Sequence, residues 1–406
     1  MSVVFFGLFI CIATVLSGPV RIERTRNGEP IFVLENNNQT YLRGSNYIRL
    51  INASRHVLFE PDMYSRWDVE GALEQMHSYG YNYVRVFLSC PSFFDGFGLK
   101  TPGIPMSYTQ NVVDFLVKAA KYNITVMVTG EWSPANYQSI INSYPLPPNV
   151  TGTNLLIFHE GQVAARAQMY KDLLNEIKNA SLLAFNNIFA IDIFNEISVS
   201  VHLEPFSLIS GLVSFDGQSF DMSKGDERQR LVDFAGNLWF NTVASAIKSV
   251  APSILVSSSL FSPNAVGHDG FDGVQTRPPN ADARYPLRPG SLVDSMADYI
   301  DLHVYASRNN SRAEFNGAGL SLAKPLLLGE TGTFKFNAPD PLTGALSVKT
   351  VMIQSVDYHF TGWGIWTWDA VEQLVLWTLT EANNTMNNVL SPKVWPYVTP
   401  STTLID

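Results

Sequence analysis

Short apolar runs alternate with amphipathic stretches along most of the chain. Apolar residues at every third or fourth position predict helices, and β-branched apolar runs bounded by turn residues predict strands. The clearest unit has a capping-box pair at Ser65 and Asp68, an amphipathic helix, a C-terminal stop at Gly80 and a strand over 83–88. Such an alternation is typical of parallel strands joined by helices.

The same rhythm continues to the C-terminal part of the chain. The predicted strands cover 41–49, 83–88, 124–128, 188–194, 254–258, 299–305, 326–329 and 362–368. Helices are predicted on the face formed by Val112, Phe115, Leu116 and Ala119, and over 162–178, 228–250 and 346–360. Eight βα repeats predict an α/β fold, a single-domain (β/α)8 TIM barrel, whose active site lies where the strands end. We expect the segments 199–225 and 262–290 to be long loops over the barrel mouth.

Composition excludes several classes of protein. Of the 406 residues, 46% are hydrophobic and 16% are charged, a balance that excludes a disordered or fibrous chain. The net charge of −9 comes without a run of Lys or Arg. We therefore expect no nucleic-acid partner and no binding to anionic membranes. No surface pattern indicates an obligate partner, so we expect a monomer.

The first residues resemble a secretory signal peptide. The stretch 3–16 is almost wholly apolar and too short to span a bilayer, and Val15 and Ser17 give the small-residue pattern before a cleavage site. The usual basic residue before the apolar run is missing. We predict a signal peptide over 1–17 and a mature domain over 18–406 without a membrane span. The alternative is a buried N-terminal strand.

Two further features bear on the secretory route. Seven Asn-x-Ser/Thr triplets could carry glycans, at Asn38, Asn52, Asn123, Asn149, Asn179, Asn309 and Asn383. Cys11 would leave with the signal peptide, so Cys90 has no partner for a disulfide in the mature chain. Cys90 is a weak candidate nucleophile because no histidine lies near it in the sequence. We expect a secreted glycoprotein, located outside the cell or in the lumen of the secretory pathway.

Three motif-like segments are better interpreted as loop or helix-cap residues. His159-Glu160 lacks the second histidine of a zinc-binding helix, and Gly217-Gln218-Ser219 lacks the closing glycine of a nucleophile elbow. Gly317-Ala318-Gly319 follows no strand. The sequence contains no phosphate-binding or calcium-binding loop, so we expect no cofactor and no metal.

Two glutamates are the most informative candidates for chemistry. Glu196 ends the fourth predicted strand and Glu330 ends the seventh, and these strands face each other across a closed barrel. Two facing carboxylates suit hydrolysis of a glycosidic bond, because one gives a proton to the leaving oxygen while the other meets the developing positive charge on the sugar. The alternative for each is a solvated or salt-bridged residue at a strand end.

With these residues in place, the chain resembles glycoside hydrolase clan A, and most of all family 5, which contains cellulases and β-mannanases. The resemblance covers most of the mature chain. It rests on Asn195-Glu196 as acid/base segment, 324–330 as nucleophile strand, Arg85, the pair His303 and Tyr305, Trp366 as sugar platform, and the segment 44–47. Two positions depart from the family pattern: Ile197 replaces a common proline, and Glu131-Trp132 stands where many cellulases have a histidine.

The resemblance implies a role for each residue. Arg85 would keep Glu330 anionic as the nucleophile, whereas Glu196 would need an apolar setting that keeps it protonated. Asn195 would bind the sugar 2-hydroxyl, and His303 and Tyr305 would bind the sugar and position the nucleophile. Trp366 and Trp132 would stack on sugar rings. Each of these has a structural alternative, namely core packing for the aromatic residues and His303, and a structural ion pair for Arg85.

The sequence thus predicts a secreted retaining β-glycosidase that cleaves a β-linked polysaccharide or oligosaccharide such as mannan or glucan. Glu131 is the rival catalytic carboxylate, or a ligand for a substrate hydroxyl. Two alternatives at the level of function stay open. One is a barrel that binds carbohydrate without cleaving it, and the other is a transglycosylase that uses a sugar acceptor in place of water.

Overall fold

The computed structural model describes residues 20–33, 41–52, 55–88, 103–131, 134–268, 282–306, 311–396 and 398. The predicted signal peptide, Cys90 and Trp132 lie outside the described residues.

In the described part of the chain, eight parallel strands surround a common axis. They are β1 (Leu42–Tyr47), β2 (Tyr83–Phe87), β3 (Thr125–Thr129), β4 (Ile188–Asp192), β5 (Leu255–Ser257 and Ser259–Phe261), β6 (Ile300–His303), β7 (Leu326–Thr331) and β8 (Phe360–Ile365). Each strand pairs with its neighbour in the chain, and β8 pairs with β1. The first half of β5 pairs with β4 and its second half pairs with β6. The two halves are separated by Ser258, and together they complete the closed barrel. The predicted TIM barrel and its eight strands are confirmed.

Helices cover the outside of the barrel. The main ones are α1 (Arg66–Ser78), α2 (Met106–Lys121), α3 (Glu160–Ala180), α4 (Gly225–Val250), α5 (Ser311–Gly317) and α6 (Pro341–Val356). Shorter α-helical turns cover Gln138–Ile141, Leu155–Phe158, Leu182–Asn186 and Asn387–Leu390, and the segment Glu381–Asn384 contains left-handed residues at Ala382 and Asn383. Between them lie 3-10 turns at Ala135–Tyr137, Gly152–Asn154, Pro263–Val266 and Pro289–Asp294. At the start of α1, the Ser65 hydroxyl accepts a hydrogen bond from the Asp68 N–H, as the capping pattern predicted.

The helix predicted over 346–360 is misplaced at both ends. It starts at Pro341 because the side chain of Asp340 accepts hydrogen bonds from the first free N–H groups, and because proline is favourable at a first helical position. It ends at Val356, and Phe360 already belongs to β8. His359, with a φ of 64°, makes the turn between the two elements.

A hairpin closes the N-terminal end of the barrel. The strands Arg21–Arg24 and Pro30–Val33 pair antiparallel. Val20 and Phe32, which are almost fully buried, join a cluster made by the first residues of several barrel strands, among them Leu42 and Tyr83. Apolar packing therefore fills this end of the barrel, and the polar side chains collect at the opposite end.

The two segments predicted as long loops contain regular structure. Ser198–Ser200 pairs antiparallel with Arg284–Pro286, so the loops after β4 and β5 lie side by side. Leu212–Phe215 and Gln218–Asp221 form a separate hairpin, and Leu50–Ile51 pairs with Arg55–His56 after β1. Among the described helices, none has the length and the apolar content that a membrane crossing requires.

Candidate active site

A fully buried arginine joins the C-terminal ends of four strands. Nη1 of Arg85 on β2 donates to Oε1 of Glu330 at 2.5 Å and to Oδ1 of Asn46 at 2.8 Å. Nη2 donates to Oδ2 of Asp192 at 2.7 Å and to Oδ1 of Asn195 at 2.8 Å. Burial opposes the charge of Arg85, but the carboxylates of Glu330 and Asp192 outweigh it and raise its pKa above the ordinary value. Arg85 therefore stays cationic in the barrel mouth.

Asp192 supports this arginine from below, and the sequence analysis did not select it. Its Oδ1 accepts from the Ser259 N–H at 2.9 Å and its Oδ2 accepts from the Ser259 hydroxyl at 2.8 Å. The break in β5 at Ser258 thus lets the next residue bind the aspartate. An aspartate within the otherwise apolar run 188–194 was the available signal, because a fully buried charge needs a partner.

Glu330 lies on β7 with its side chain 4% exposed. One carboxylate oxygen accepts from Arg85, and Oε2 accepts from the Tyr305 hydroxyl at 2.7 Å. Burial, together with the negative charge of Glu330, raises the pKa of Tyr305 well above its ordinary value, so the phenol keeps its proton and remains a donor. Both carboxylate oxygens of Glu330 are thereby held in place, Oε1 by the cationic Arg85 and Oε2 by the Tyr305 hydroxyl.

Glu196 follows β4 and has a φ of 52°, in the left-handed region. A residue with a side chain pays on the order of 1–2 kcal/mol for this conformation, and such strain is concentrated at functional sites. The Glu196 N–H donates to the Ser259 hydroxyl at 3.3 Å, which helps to hold the turn. This backbone strain argues against the alternative that Glu196 is only a solvated residue at a strand end.

The Glu196 carboxylate is bound by two potential cations. Its Oε1 lies 3.0 Å from His303 Nδ1, and its Oε2 accepts from Arg284 Nη1 at 3.2 Å. Burial favours the protonated acid, but the hydrogen bond from His303 and the charges of His303, Arg284 and Arg85 outweigh it and lower the pKa of Glu196. The expectation of an apolar setting that keeps Glu196 protonated is therefore wrong, because His303 reaches the carboxylate, and so does Arg284 from a segment predicted only as a loop.

His303 on β6 lies between the two glutamates. Its Nδ1 is 3.0 Å from Glu196 and 3.5 Å from Glu330 Oε2. Burial opposes protonation, but the charge of Glu330 and the hydrogen bond with Glu196 raise the pKa of His303. A carboxylate oxygen of each glutamate and a nitrogen of His303 all lie within 4.8 Å of one another. Such a group could ligate a metal ion in principle, but Arg85 and Arg284 already supply positive charge to the same carboxylates.

These side chains line one cleft of about 580 Å³ at the barrel mouth. Asn195, Glu196, His303, Tyr305, Glu330 and Trp366 are all exposed to it, and Arg85 lies beneath. Arg85 donates to the side-chain oxygen Oδ1 of Asn195. The side-chain nitrogen Nδ2 of Asn195 is therefore available as a donor. The structure thus brings together every predicted site residue except Trp132, which is not described.

Trp366 forms part of the cleft wall and is only 6% exposed. Its indole N–H donates to Gln373 Oε1 at 2.5 Å, and its ring packs edge-on against Phe87 at 5.6 Å. His56, which was not predicted as a site residue, stacks flat on the ring of Phe87 at 3.9 Å. Burial and then the charge of Arg85 lower the pKa of His56 to about 3, so it is neutral.

Glu131, the rival carboxylate, also lines the cleft but in a different environment. Its Oε2 lies 3.7 Å from Nε2 of His56. His56 is neutral, whereas Glu330 is bound by the cationic Arg85. The two carboxylates therefore lie in different electrostatic settings.

No protein-family model and no curated protein matches the chain. Solved structures do. A β-mannanase from the blue mussel Mytilus edulis is 19% identical, with a TM-score of 0.54 over 95% of this chain and 98% of that one. An endo-1,4-β-mannanase from Rhizomucor miehei is 13% identical, with a TM-score of 0.60 over 92% of this chain and 99% of that one. A GH5_18 variant from Streptomyces cattleya, in complex with Manβ1-4GlcNAc, is 14% identical, with a TM-score of 0.54 over 88% of this chain and 82% of that one. At these identities the likeness shows the fold.

Proposed function

We propose that this protein is a retaining β-glycoside hydrolase in which Glu330 is the nucleophile and Glu196 is the acid/base. The observation that carries the proposal is the approach of a Glu196 oxygen to a Glu330 oxygen within 4.8 Å. Retaining enzymes have their carboxyl groups about 5 to 5.5 Å apart, whereas inverting enzymes need about 6.5 to 9.5 Å to admit a water molecule.

In the first step Glu330 attacks the anomeric carbon of the sugar while Glu196 gives its proton to the leaving glycosidic oxygen. The bond between sugar and leaving group breaks as the bond between sugar and Glu330 forms. In the second step the anionic Glu196 takes a proton from water, and the resulting hydroxide displaces Glu330 from the anomeric carbon. Because two cationic groups favour the anionic form of Glu196, the acid needed for the first step accumulates only at acidic pH.

The surrounding donors have distinct tasks in this scheme. Arg85 and Tyr305 hold the two oxygens of Glu330, which fixes the attacking atom. His303 donates into the space between the glutamates. The amide nitrogen of Asn195 is available for a sugar hydroxyl, a contact that gains strength as charge develops in the transition state.

We propose a β-linked polysaccharide, mannan first and glucan second, as the substrate. Support for mannan comes from the names of the structural neighbours, which include β-mannanases and a complex with a β1-4-linked mannosyl disaccharide. An open cleft of about 580 Å³ accommodates several sugar rings more readily than a closed pocket for one.

We also propose that the protein enters the secretory pathway and carries N-linked glycans. Every described sequon asparagine is exposed, as attachment of a glycan requires: Asn52, Asn123, Asn149, Asn179 and Asn383. Sequencing the N-terminus of the secreted protein, and measuring its mass before and after glycan removal, tests both parts. A mature chain that starts at Met1 and carries no glycan contradicts the proposal.

The test of function is release of reducing sugar from β-mannan, β-1,4-glucan, β-1,3-glucan and xylan. We expect activity on at least one polymer, and its loss in both Glu330→Gln and Glu196→Gln. Glu131→Gln tests the rival carboxylate and should retain turnover, and Glu74→Gln on the exposed side of α1 is the control. A protein that binds a polymer but cleaves none contradicts hydrolysis in favour of a carbohydrate-binding barrel, and longer products at high acceptor concentration indicate transglycosylation.

A further inference from the structure

A row of aromatic rings leads outward from the nucleophile. Tyr305, which donates to Glu330, lies 5.6 Å from Phe334 between ring centroids, at an interplanar angle of 35°. Phe334 in turn stacks on Phe336 at 5.0 Å and 23°. All three rings line the cleft that contains the two glutamates. The row therefore connects the reacting centre to the rim of the cleft.

The outermost ring is exposed. Phe336 is 71% exposed, although exposure of a phenylalanine ring to water is unfavourable in free energy. One face of the ring packs on Phe334, so the exposed surface includes the face that is turned away from it. The structure thus presents a flat apolar surface that continues the cleft, at a position where folding alone gains little from it.

The neighbouring loop adds more exposed apolar surface. The Lys335 N–H donates to the Val375 carbonyl at 2.8 Å, which joins the loop after β7 to the loop after β8. Beside this junction Val371, Leu374 and Val375 are 68%, 78% and 56% exposed. These exposed apolar side chains lie close in sequence to Gln373 and Leu376, which line the same cleft as Phe336.

We propose that Phe336, supported by Phe334, is a distal subsite that stacks on one sugar ring of the substrate chain, away from the bond that is cleaved. The C–H groups of a β-linked sugar form an apolar face that matches an aromatic ring, and the ring is already held in place by its stack on Phe334. The subsite rests on the proposed function for its ligand class, an oligosaccharide that extends along the cleft.

The subsite would make the protein discriminate by chain length. We expect a disaccharide to occupy the positions on either side of the glutamates and a hexasaccharide to extend past them to the rim, so the longer ligand gains more from the contact. Loss of the ring should weaken hexasaccharide binding by roughly threefold to tenfold and leave disaccharide binding unchanged.

Calorimetric titration tests this in the Glu330→Gln background, which does not consume the ligand. Mannohexaose and cellohexaose are compared with mannobiose and cellobiose. We expect weaker hexasaccharide binding in Phe336→Ala, recovery in Phe336→Trp, and no change in Leu212→Ala, a residue of similar exposure (73%) in the hairpin 212–221. Thermal melting checks that each variant is folded.

The outcomes separate the two proposals. If no polymer is hydrolysed but the Phe336→Ala change weakens hexasaccharide binding, the proposed hydrolysis fails and the subsite stands. The subsite is wrong if Phe336→Ala binds the hexasaccharides with the same affinity as the parent protein. It is also wrong if neither hexasaccharide binds the parent protein. Both conclusions hold whatever the enzyme cleaves.

Discussion

Replacing Arg284 by methionine should extend activity toward higher pH. Arg284 donates to Glu196 at 3.2 Å, and its positive charge contributes to the lowered pKa of that carboxyl. The first step needs Glu196 protonated, so kcat/KM falls as the pH rises through the pKa of Glu196 in the free enzyme. Removing a cation raises that pKa, and the decline in activity moves to higher pH.

The size of the effect follows from exposure. The Arg284 side chain is 50% exposed and also binds Asp282, so water and a second acid weaken its effect on Glu196. An ion pair of this exposure contributes up to about 1 kcal/mol, which corresponds to roughly fivefold. We therefore expect kcat/KM at pH 7, relative to the maximum of the pH profile, to rise roughly twofold to fivefold in Arg284→Met.

The assay is kcat/KM over pH 3 to 8 on the best soluble substrate. His303 and Arg85 stay in place, so part of the lowered pKa remains, whereas Glu330 faces Glu196 with a negative charge that opposes it. Arg284→Lys keeps the charge and should restore the original profile. Arg230→Met removes an arginine of similar exposure (45%), paired with Glu227 on α4, and should change nothing. An unchanged profile in Arg284→Met refutes the role given to this ion pair.

Three more variants test other parts of the account. Arg85→Met should lower the free energy of unfolding by about 3 to 5 kcal/mol, measured in urea, because Asp192 and Glu330 lose a buried partner; a change below about 1 kcal/mol contradicts this. Tyr305→Phe should keep the fold and lower kcat roughly tenfold or more, since one hydrogen bond to a carboxylate is lost; unchanged steady-state kinetics contradict it. Phe32→Ala should cost about 3 to 5 kcal/mol in the same urea assay, because its ring fills the closed end of the barrel; wild-type stability contradicts it.

Most of the barrel could be predicted from sequence because its signals are local. A β-branched or aromatic run between turn residues indicates a buried strand whatever lies around it, and each of the eight predicted strands is present. The interruption of β5 at Ser258 was not predictable, because it depends on pairing with two different neighbours. The end of α6 was misplaced because the apolar pattern runs on through Phe360 into β8.

The site could be predicted only where a strand end carried a chemical group. Glu196 and Glu330 follow that rule, whereas Arg85 lies in the middle of β2 and was selected from the family resemblance; their mutual contacts follow from the closed barrel. Arg284 lies in a long segment without periodicity, so nothing local indicated that it reaches Glu196. Its contact arises because the segment pairs with the strand that follows β4. His303 is the larger cause of the lowered pKa of Glu196, and this tertiary contact with Arg284 adds to it.

The most direct test of the central claim is to identify the residue that bonds to the sugar. The protein is incubated with an activated 2-deoxy-2-fluoro β-glycoside of the sugar found in the polymer screen, which slows the second step, and the trapped adduct is located by peptide mass spectrometry. The account predicts one glycosyl group on Glu330, and none after Glu330→Gln. An adduct on Glu131, or hydrolysis with inverted anomeric configuration and no adduct, would contradict it.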